Sequence, residues 1–426
     1  MTHVAILGFG MEGQDATKYF LAQGAKITVF DKKPREEIAR GGWEKENIKW
    51  VCGEDYLKNG LQGFDLIVRS PGVYRYIPQI VEAEKNGAKI TSSTILFFEN
   101  CKTPIIGVTG TKGKGTTASL IAHGLKACGK RVLLLGNIGE PMLLSLEEAK
   151  NCDYVLLELS SFQTIDLTKS PHITVVTNIT SDHMDWHKDQ EEYEQAKRQL
   201  WKNQHDDDYL VLNSDDQISM SLAKNATGKV FTYNGENEKA SELNIPGKHN
   251  VYNVNAALLT IKLLGEDTQK AWEGIESFKG LEHRLENIGE IDGVTYINDS
   301  YATNPEPTIA AIHSFEQPKV LILGGSKKGA DFTKMAKEIV RSNVRGVVLI
   351  GDEAEAIEEA LNNTQFKGDM KKGFTKMPEM VSAAKSMAKA GDVVILSPAC
   401  ASFGLFENYK DRGKKFKEAV RGRVLK

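Results

Sequence analysis

The stretch 107-GVTGTKGKGTTASLIAHGL-125 decides how the chain folds. It follows an apolar run, 104-PIIGVTG-110, and opens a helical pattern in which Ala118, Ile121, Ala122 and Leu125 share a face. Gly107, Gly110, Gly113 and Gly115 free the backbone, so that consecutive N–H groups can point at phosphate oxygens. Lys114 supplies a mobile cation for β- and γ-phosphates. A strand before and a helix after complete the context that a phosphate loop demands, and the stretch Gly110, Thr111, Lys112, Gly113, Lys114, Gly115, Thr116 and Thr117 is expected to hold ATP. In the usual loop a hydroxyl residue follows the lysine and binds Mg²⁺. Here Gly115 takes that place, which leaves Thr116 or Thr117 for the metal.

Outward from this loop, short β-branched runs alternate with helical patterns. They are 3-HVAILGFG, 26-KITVF, 64-FDLIVRSPG, 131-RVLLLGN, 153-DYVLLELS, 173-ITVVTNI, 294-VTYINDS, 319-KVLILGG, 347-VVLIG and 392-DVVILSP. Strands buried on both faces and separated by helices make parallel α/β sheets. A chain of 426 residues exceeds one ordinary core. Three α/β domains are expected, at 1–95, 96–280 and 281–426: Rossmann-like, then P-loop ATPase-type with a parallel or mixed sheet, then Rossmann-like again.

Composition narrows the function classes. Hydrophobic content of 41% and charged content of 26% describe a globular chain, and a net charge of −3 gives no reason to expect nucleic acid or an anionic membrane as partner. No apolar run approaches the roughly 18 residues that span a bilayer. Five scattered cysteines without CxxC spacing read as reduced thiols, so a cytoplasmic protein is expected.

The strand ends carry the chemistry. The run 8-GFGMEG-13, with Asp31 closing the next strand, matches the dinucleotide fingerprint. It fits NAD or a nucleotide-carrying substrate, or a glycine turn needed only for packing, and nothing downstream looks like a hydride-transfer site. Glu158 ends its strand as an acidic neighbour of the phosphate loop, suited to Mg²⁺. His183 lies in 178-NITSDHMDWH, where Asp182, His183, Asp185 and His187 fall within six residues. In 191-EEYEQAKRQLWK-202, Tyr193, Ala196, Lys197, Leu200 and Trp201 follow helical spacing, so Lys197 sits on the apolar face. Such a lysine either snorkels or is a buried amine of lowered pKa, able to add CO2 and become a carbamate. The runs 298-NDSYATNP-305, 324-GGSKKGADF-332 and 397-SPACASFGLFENYKDRG-413 cluster donors suited to a substrate with two carboxylates.

In this order, 8-GFGMEG, 70-SPG, 110-GTKGKGTT, 136-GNIG, 158-ELSSFQ, 182-DHMD, 196-AKRQLW, 247-GKHNVYN, 281-LEHRLE, 298-NDSYATN, 324-GGSKKGADF and 397-SPACAS resemble the ATP-dependent Mur ligase family along the whole chain. The pair GGSKKGADF and SPACAS points to its D-glutamate-adding branch. The resemblance implies a ligase that joins D-glutamate to UDP-N-acetylmuramoyl-L-alanine through an acyl phosphate, for peptidoglycan, acting as a monomer. It implies uridine diphosphate contacts from Gly10, Met11, Glu12, Gly13, Asp31, Lys32, Ser70, Pro71, Gly72 and Asn137. It implies that Asn253, Arg284 and Asp299 join the phosphate loop around ATP, that Glu158 and His183 serve Mg²⁺ together with a carbamate on Lys197, and that Thr303, Lys328, Ser402 and Tyr409 receive the amino acid. Lys114, His183 and Lys197 are the implied catalytic set. Three departures bear on amino-acid choice more than on reaction type. The order 114-KGT-116 is closer to folylpolyglutamate synthases, Tyr301 stands where the branch usually has lysine, and Tyr409 replaces a phenylalanine. A sister ligase using L-glutamate, a folylpolyglutamate synthase-like enzyme and a nucleotide-binding regulator without turnover are the competing readings.

Overall fold

The structure, a computed structural model, describes residues 2–39, 43, 46–137, 141–245, 247–327 and 330–422. The chain divides into two compact units, Met1–Phe278 and Lys279–Lys426. The first unit holds two sheets. One comprises β1 (His3–Leu7), β2 (Lys26–Asp31), β3 (Ile48–Cys52), β4 (Leu66–Arg69) and β5 (Lys89–Thr91), in the order β3-β2-β1-β4-β5. Every pair is parallel. Val4 to Leu7 are fully buried, as the continuous apolar run of a central parallel strand requires. The chain winds outward through β2 and β3 and returns to β4 on the far side of β1. A crevice therefore opens beyond the carboxyl ends of β1 and β4.

The other sheet comprises β6 (Ile105–Thr109), β7 (Val132–Gly136), β8 (Tyr154–Glu158), β9 (Ile173–Val176), β10 (Tyr209–Asn213) and β11 (Lys229–Tyr233), ordered β11-β10-β9-β6-β8-β7. It is parallel throughout. β6 again sits where the winding reverses, and the glycine-rich loop follows it. The Lys114–Ala127 helix after that loop packs against the sheet and against the Lys248–Leu263 and Thr268–Glu276 helices. It therefore buries Thr117, Ser119, Leu120 and Gly124 as well as the expected Ala118, Ile121, Ala122 and Leu125.

A buried ionic knot joins the two halves of this unit. Arg69, at the end of β4, is wholly buried and pairs with Asp166 at 3.0 Å. It also donates to the carbonyls of Val73 and Phe162, each at 3.0 Å. Arg75 reaches the same carboxylate at 3.3 Å. One acid thus meets two guanidinium groups, Arg69 from the end of β4 and Arg75 from the segment after it, the second of which also pairs with Glu84 at 2.7 Å.

The second unit has one sheet: β12 (Glu286–Ile291), β13 (Val294–Asn298), β14 (Lys319–Gly324), β15 (Val344–Ile350), β16 (Asp369–Lys372) and β17 (Val393–Leu396), ordered β12-β13-β17-β14-β15-β16. Only β12 runs antiparallel to its neighbour within it. Val320, Ile322, Val394 and Leu396 face one apolar cluster, while Leu321, Leu323, Val393 and Ile395 face another. The two-residue period fills both faces. The three expected α/β sheets are present, with the antiparallel strand in the third.

Replacing Asp166 with alanine strands the fully buried Arg69, while Arg75 keeps Glu84 at 2.7 Å. We expect a loss of about 3–5 kcal/mol in the stability of the first unit, read by denaturant titration, because removing one partner of a buried pair leaves an uncompensated charge.

Candidate functional site

The crevice beyond β1 and β4 is a cleft of about 490 Å³. Of the ten residues expected there, Gly10, Met11, Glu12, Asp31, Lys32, Ser70, Pro71, Gly72 and Asn137 line it. Gly8, Tyr56, Val73, Pro141 and Met142 line it too, without having been expected. Gly13 does not appear in that lining. A Cβ on it would fall 2.0 Å from the Gly8 carbonyl oxygen, so its task is to let the Met11–Ala22 helix lie against the turn after β1. Asp31 accepts from the backbone N–H groups of Phe9 at 2.6 Å and Lys33 at 2.8 Å. It braces the turn, with Lys32 beside it paired to Glu54 at 3.2 Å.

Beyond β6, Gly110 and Gly113 have φ of 143° and 86°. A Cβ at Gly110 would lie 2.0 Å from Thr177 Oγ1, and one at Gly113 would lie 2.6 Å from Asn253 Oδ1. The loop is moored from outside by residues to which the sequence reading gave no such role. Thr111 N–H donates to the Asn178 carbonyl at 2.7 Å, Lys112 N–H to Asn178 Oδ1 at 3.1 Å, and Thr177 Oγ1 donates to the Lys112 carbonyl at 2.6 Å. The Tyr193 hydroxyl lies 2.8 Å from Thr111 Oγ1. The polar residues closing 173-ITVVTNI were the available signal. Lys114 Nζ curls back to the carbonyls of Gly110 and Thr111 at 3.1 and 3.0 Å, and lies 4.0 Å from Glu158. Thr117 is fully buried and donates to Asn253 Oδ1 at 3.1 Å, whereas Thr116 is half-buried. Of the two threonines, Thr116 has the accessible hydroxyl. Lys112 is exposed and Gly115 buried.

Lys197 is 1% exposed, and the buried set on its helix is the expected Tyr193, Ala196, Lys197, Leu200 and Trp201. Its Nζ donates to the Gly110 carbonyl at 2.7 Å and stands 4.6 Å from the centre of the Tyr193 ring. Burial, aided by the Lys114 charge, holds its pKa well below the usual lysine range, against the pull of Glu158 and Asp182. A snorkelling amine would reach water, and this one does not. Glu158, at the end of β8, is 4% exposed. His183 has a positive φ of 56°, with Asp182 Oδ2 at 3.7 Å and the Phe162 ring at 4.7 Å. Its neighbour His187 is buried, between Ser161 Oγ at 2.9 Å and Glu192 at 3.3 Å, and burial lowers its pKa.

In the second unit, the segments after β13, β14 and β17 lie side by side. Gly324 N–H donates to the Pro398 carbonyl at 2.7 Å and Ser326 N–H to the Ala401 carbonyl at 2.9 Å. Asp299 accepts from Ser397 Oγ at 2.7 Å and from Leu285 N–H at 3.2 Å, and burial raises its pKa to about 6. Arg284 is exposed and stands 5.7 Å from the Tyr301 ring, which meets Tyr409 edge to face at 5.1 Å. Thr303 is half-buried, Ser402 is buried, and Lys328 lies outside the described residues. Arg412 was not anticipated, since 409-YKDRGKKF reads as a wet helix face. It is fully buried, with three donors on the Ser300 hydroxyl, the Ser300 carbonyl and the Cys400 carbonyl at 2.9 to 3.1 Å. Burial brings its pKa down to about 10.

Comparison with known proteins follows the same division. Residues 2–92 match the Mur ligase MurD-like N-terminal domain, 108–242 the Mur ligase middle domain, and 283–400 the Mur ligase glutamate ligase domain. The UDP-N-acetylmuramoylalanine–D-glutamate ligase of Acetivibrio thermocellus is 40% identical, across 98% of this chain and 96% of that protein. The chain belongs to the Mur ligase family. A second Mur ligase of the same name, from Clostridium tetani, is 37% identical over 98% of this chain and 96% of its own. Among solved structures, the fold is similar to UDP-N-acetylmuramate–alanine ligase MurC of Thermotoga maritima, with TM-score 0.60, 20% identity and coverage of 99% and 100%. It is also similar to the Mur ligase MurF of Acinetobacter baumannii, with TM-score 0.60, 15% identity and coverage of 84% and 91%.

The two glycines of the cleft respond unequally to a methyl group. Gly13→Ala forces the helix off β1, and we expect it to cost about 1–3 kcal/mol or more on denaturation. Gly10→Ala meets nothing within 4 Å at a φ of −71°, so it should lose only glycine's advantage at the helix N-cap, about 1 kcal/mol or less.

Proposed function

We propose that this Mur ligase joins D-glutamate to UDP-N-acetylmuramoyl-L-alanine, consuming ATP and releasing ADP and phosphate, in the synthesis of the peptidoglycan precursor. The observation that carries the reading is the grouping of Lys114, Glu158 and Lys197 around the loop after β6, in the same unit as a separate diphosphate-sized cleft. Two nucleotide-type sites without redox machinery suit a ligase whose acceptor carries uridine diphosphate. In this reading domains 1–95, 96–280 and 281–426 take the uridine-linked substrate, ATP and the amino acid. Gly10, Met11, Glu12, Asp31, Lys32, Ser70, Pro71, Gly72 and Asn137 bound the first site, with Gly13 shaping it from behind.

A carboxylate does not acylate an amine near neutral pH, because oxide is too poor a leaving group. Transfer of the γ-phosphoryl group onto the carboxylate oxygen makes an acyl phosphate. The amino acid's nitrogen then attacks the carbonyl carbon, the C–N bond forms, and phosphate departs with the C–O electron pair. Gly110 to Thr117 present backbone N–H groups to the polyphosphate, and Lys114 turns from the loop carbonyls to the transferring group. Asn253, Arg284 and Asp299 complete the nucleotide's surroundings. Thr303, Lys328, Ser402 and Tyr409 orient D-glutamate.

The donors near Lys114 fit Mg²⁺, which prefers hard oxygen ligands. Glu158 offers a nearly buried carboxylate, Thr116 an accessible hydroxyl and His183 an accessible ring. When bound, the ion would neutralise charge on the phosphates. Lys197 fits carbamylation. A buried amine with depressed basicity attacks CO2, its nitrogen loses a proton, and an anion results within the field of Lys114. Lys197 as carbamate, with Glu158, His183 and Thr116, would then hold the metal.

The test is an amino-acid panel. We expect release of ADP and phosphate with UDP-N-acetylmuramoyl-L-alanine plus D-glutamate, and background release with L-glutamate, D-aspartate or L-lysine. Active protein that ignores D-glutamate would reject the reading. For Lys197, alanine substitution should lower kcat by roughly a hundredfold or more, on the scale of losing a transition-state charge stabiliser. Added short carboxylates should restore part of it, and ¹³C-bicarbonate should give the parent protein a carbamate resonance that the variant lacks. A fully active variant would mean that the amine has a packing role only.

A further inference from the structure

Glu12 is an odd residue to find in an anion cleft. It occupies the first turn of the Met11–Ala22 helix, in the glycine turn itself, and lines the cleft between Met11 and Asp31. Its two oxygens are unlike. Oε1 accepts from Gln163 Nε2 at 2.7 Å, while Oε2 is buried from water and has no hydrogen-bond partner among the described residues. The orientation of the Gln163 amide is settled by its other end. Gln163 Oε1 accepts the Ser160 N–H at 2.9 Å and lies 3.1 Å from Ser160 Oγ, so Nε2 must face Glu12. Glu12 Oε1 is therefore an acceptor, and any proton on this carboxyl belongs to Oε2.

Charge bookkeeping around the cleft points the same way. The charged side chains among its described lining residues are Glu12, Asp31 and Lys32. With both acids ionised they carry one net negative charge, and with Glu12 protonated they carry none. Asp31 is engaged by two N–H groups, whereas Lys32 is shared with Glu54. Nothing in this set outweighs an ionised Glu12 facing a doubly charged diphosphate. Packed around Glu12 are Arg69 from β4, which favours the ionised form but is committed to Asp166, and Asp15 on its own helix, which disfavours it. Ser93 of the Ser93–Asn100 helix donates to the Glu12 backbone carbonyl at 3.2 Å. Burial is the largest influence and lifts the Glu12 pKa to about 7.

We propose that Glu12 serves the cleft as an uncharged acid, and that a proton on Oε2 is the condition for accepting the anionic diphosphate of the uridine-linked substrate. This rests on the cleft being the uridine diphosphate site. Glu12 acts as a positioning and specificity residue, taking no part in bond making. The sign follows from linkage. A ligand that prefers the protonated form raises the group's pKa on binding, so affinity is full below pH 7 and falls as pH rises.

The experiment is calorimetric titration of the full chain with UDP-N-acetylmuramoyl-L-alanine, without ATP, from pH 6 to pH 8.5, for the parent and for Glu12→Gln. Glutamine reproduces the neutral acid, with Oε1 still accepting from Gln163. The ligand's diphosphate and carboxylate stay fully ionised across this window, and its uracil N–H, which begins to titrate only at the upper end, affects parent and variant alike. For the parent we expect Kd to rise about tenfold per unit above pH 7, reaching roughly thirtyfold at pH 8.5. At pH 8, binding should take up close to one proton, read from buffers of different ionisation enthalpy. Glu12→Gln should show a Kd flat within about twofold and no such uptake. Should that variant fail to fold, proton uptake by the parent decides alone. Binding with no proton linkage overturns the proposal and leaves the site intact. No binding at any pH overturns both this inference and the assignment of the cleft.

Discussion

The backbone leaving β6 passes so close to the end of β9 that no side chain fits at Gly110. A Cβ there would sit inside the Thr177 hydroxyl. That near-contact is the constraint on which the candidate site depends. It turns the Gly110 carbonyl toward the interior, where Lys197 finds it at 2.7 Å and Lys114 at 3.1 Å. Two amines converge on one oxygen because the glycine lets the chain bend there. The loop then needs anchoring, since Gly110 and Gly113 give it little stiffness of its own. Thr177, Asn178, Thr180 and Tyr193 supply the anchors from neighbouring segments.

Much of the architecture was legible because buried strands announce themselves. β1, β6, β8, β9, β14 and β17 are continuous apolar runs, and the motifs sit at their carboxyl ends. The strands absent from the sequence reading are mostly at sheet edges. β3, β5, β11, β12 and β16 are each covered on one side only, and 369-DMKK carries the lysines and acid that protect an exposed edge. β10, 209-YLVLN, is the exception, since its apolar run was there to be read. Within the site, helical periodicity put Lys197 on the apolar face, and only the tertiary contacts decided between snorkelling and burial. Gly13 shows the limit of a motif: its glycine is demanded by helix–strand packing, which spacing cannot separate from ligand approach. Arg69 and Arg412 were invisible for a related reason. Charged residues are usually exposed, and only tertiary contacts reveal the ones that are not.

Three buried cations meet the cost of desolvation in three ways. Arg69 has a carboxylate partner, the ordinary solution. Arg412 has none within its hydrogen bonds and relies on two carbonyls and a hydroxyl, so its guanidinium keeps a positive field beside Ser300 and Tyr409. Lys197 has one carbonyl and an aromatic face, too little to hold a full charge, and its basicity falls accordingly. The less complete the compensation, the more reactive the group becomes. By this measure Lys197 is the least compensated of the three, whereas Arg69 is spent on architecture.

The sharing of Asp166 between Arg69 and Arg75 has a practical corollary for anyone dissecting the molecule. A fragment ending near residue 95 would contain both arginines and neither the acid nor the Phe162 carbonyl that receives them. Arg75 would keep Glu84 there, but Arg69 would lose its carboxylate and be left as an orphaned positive group, hungry for any anion in the buffer. Division after Phe278 keeps the knot whole, so the smallest faithful fragment of this chain spans two sheets, not one.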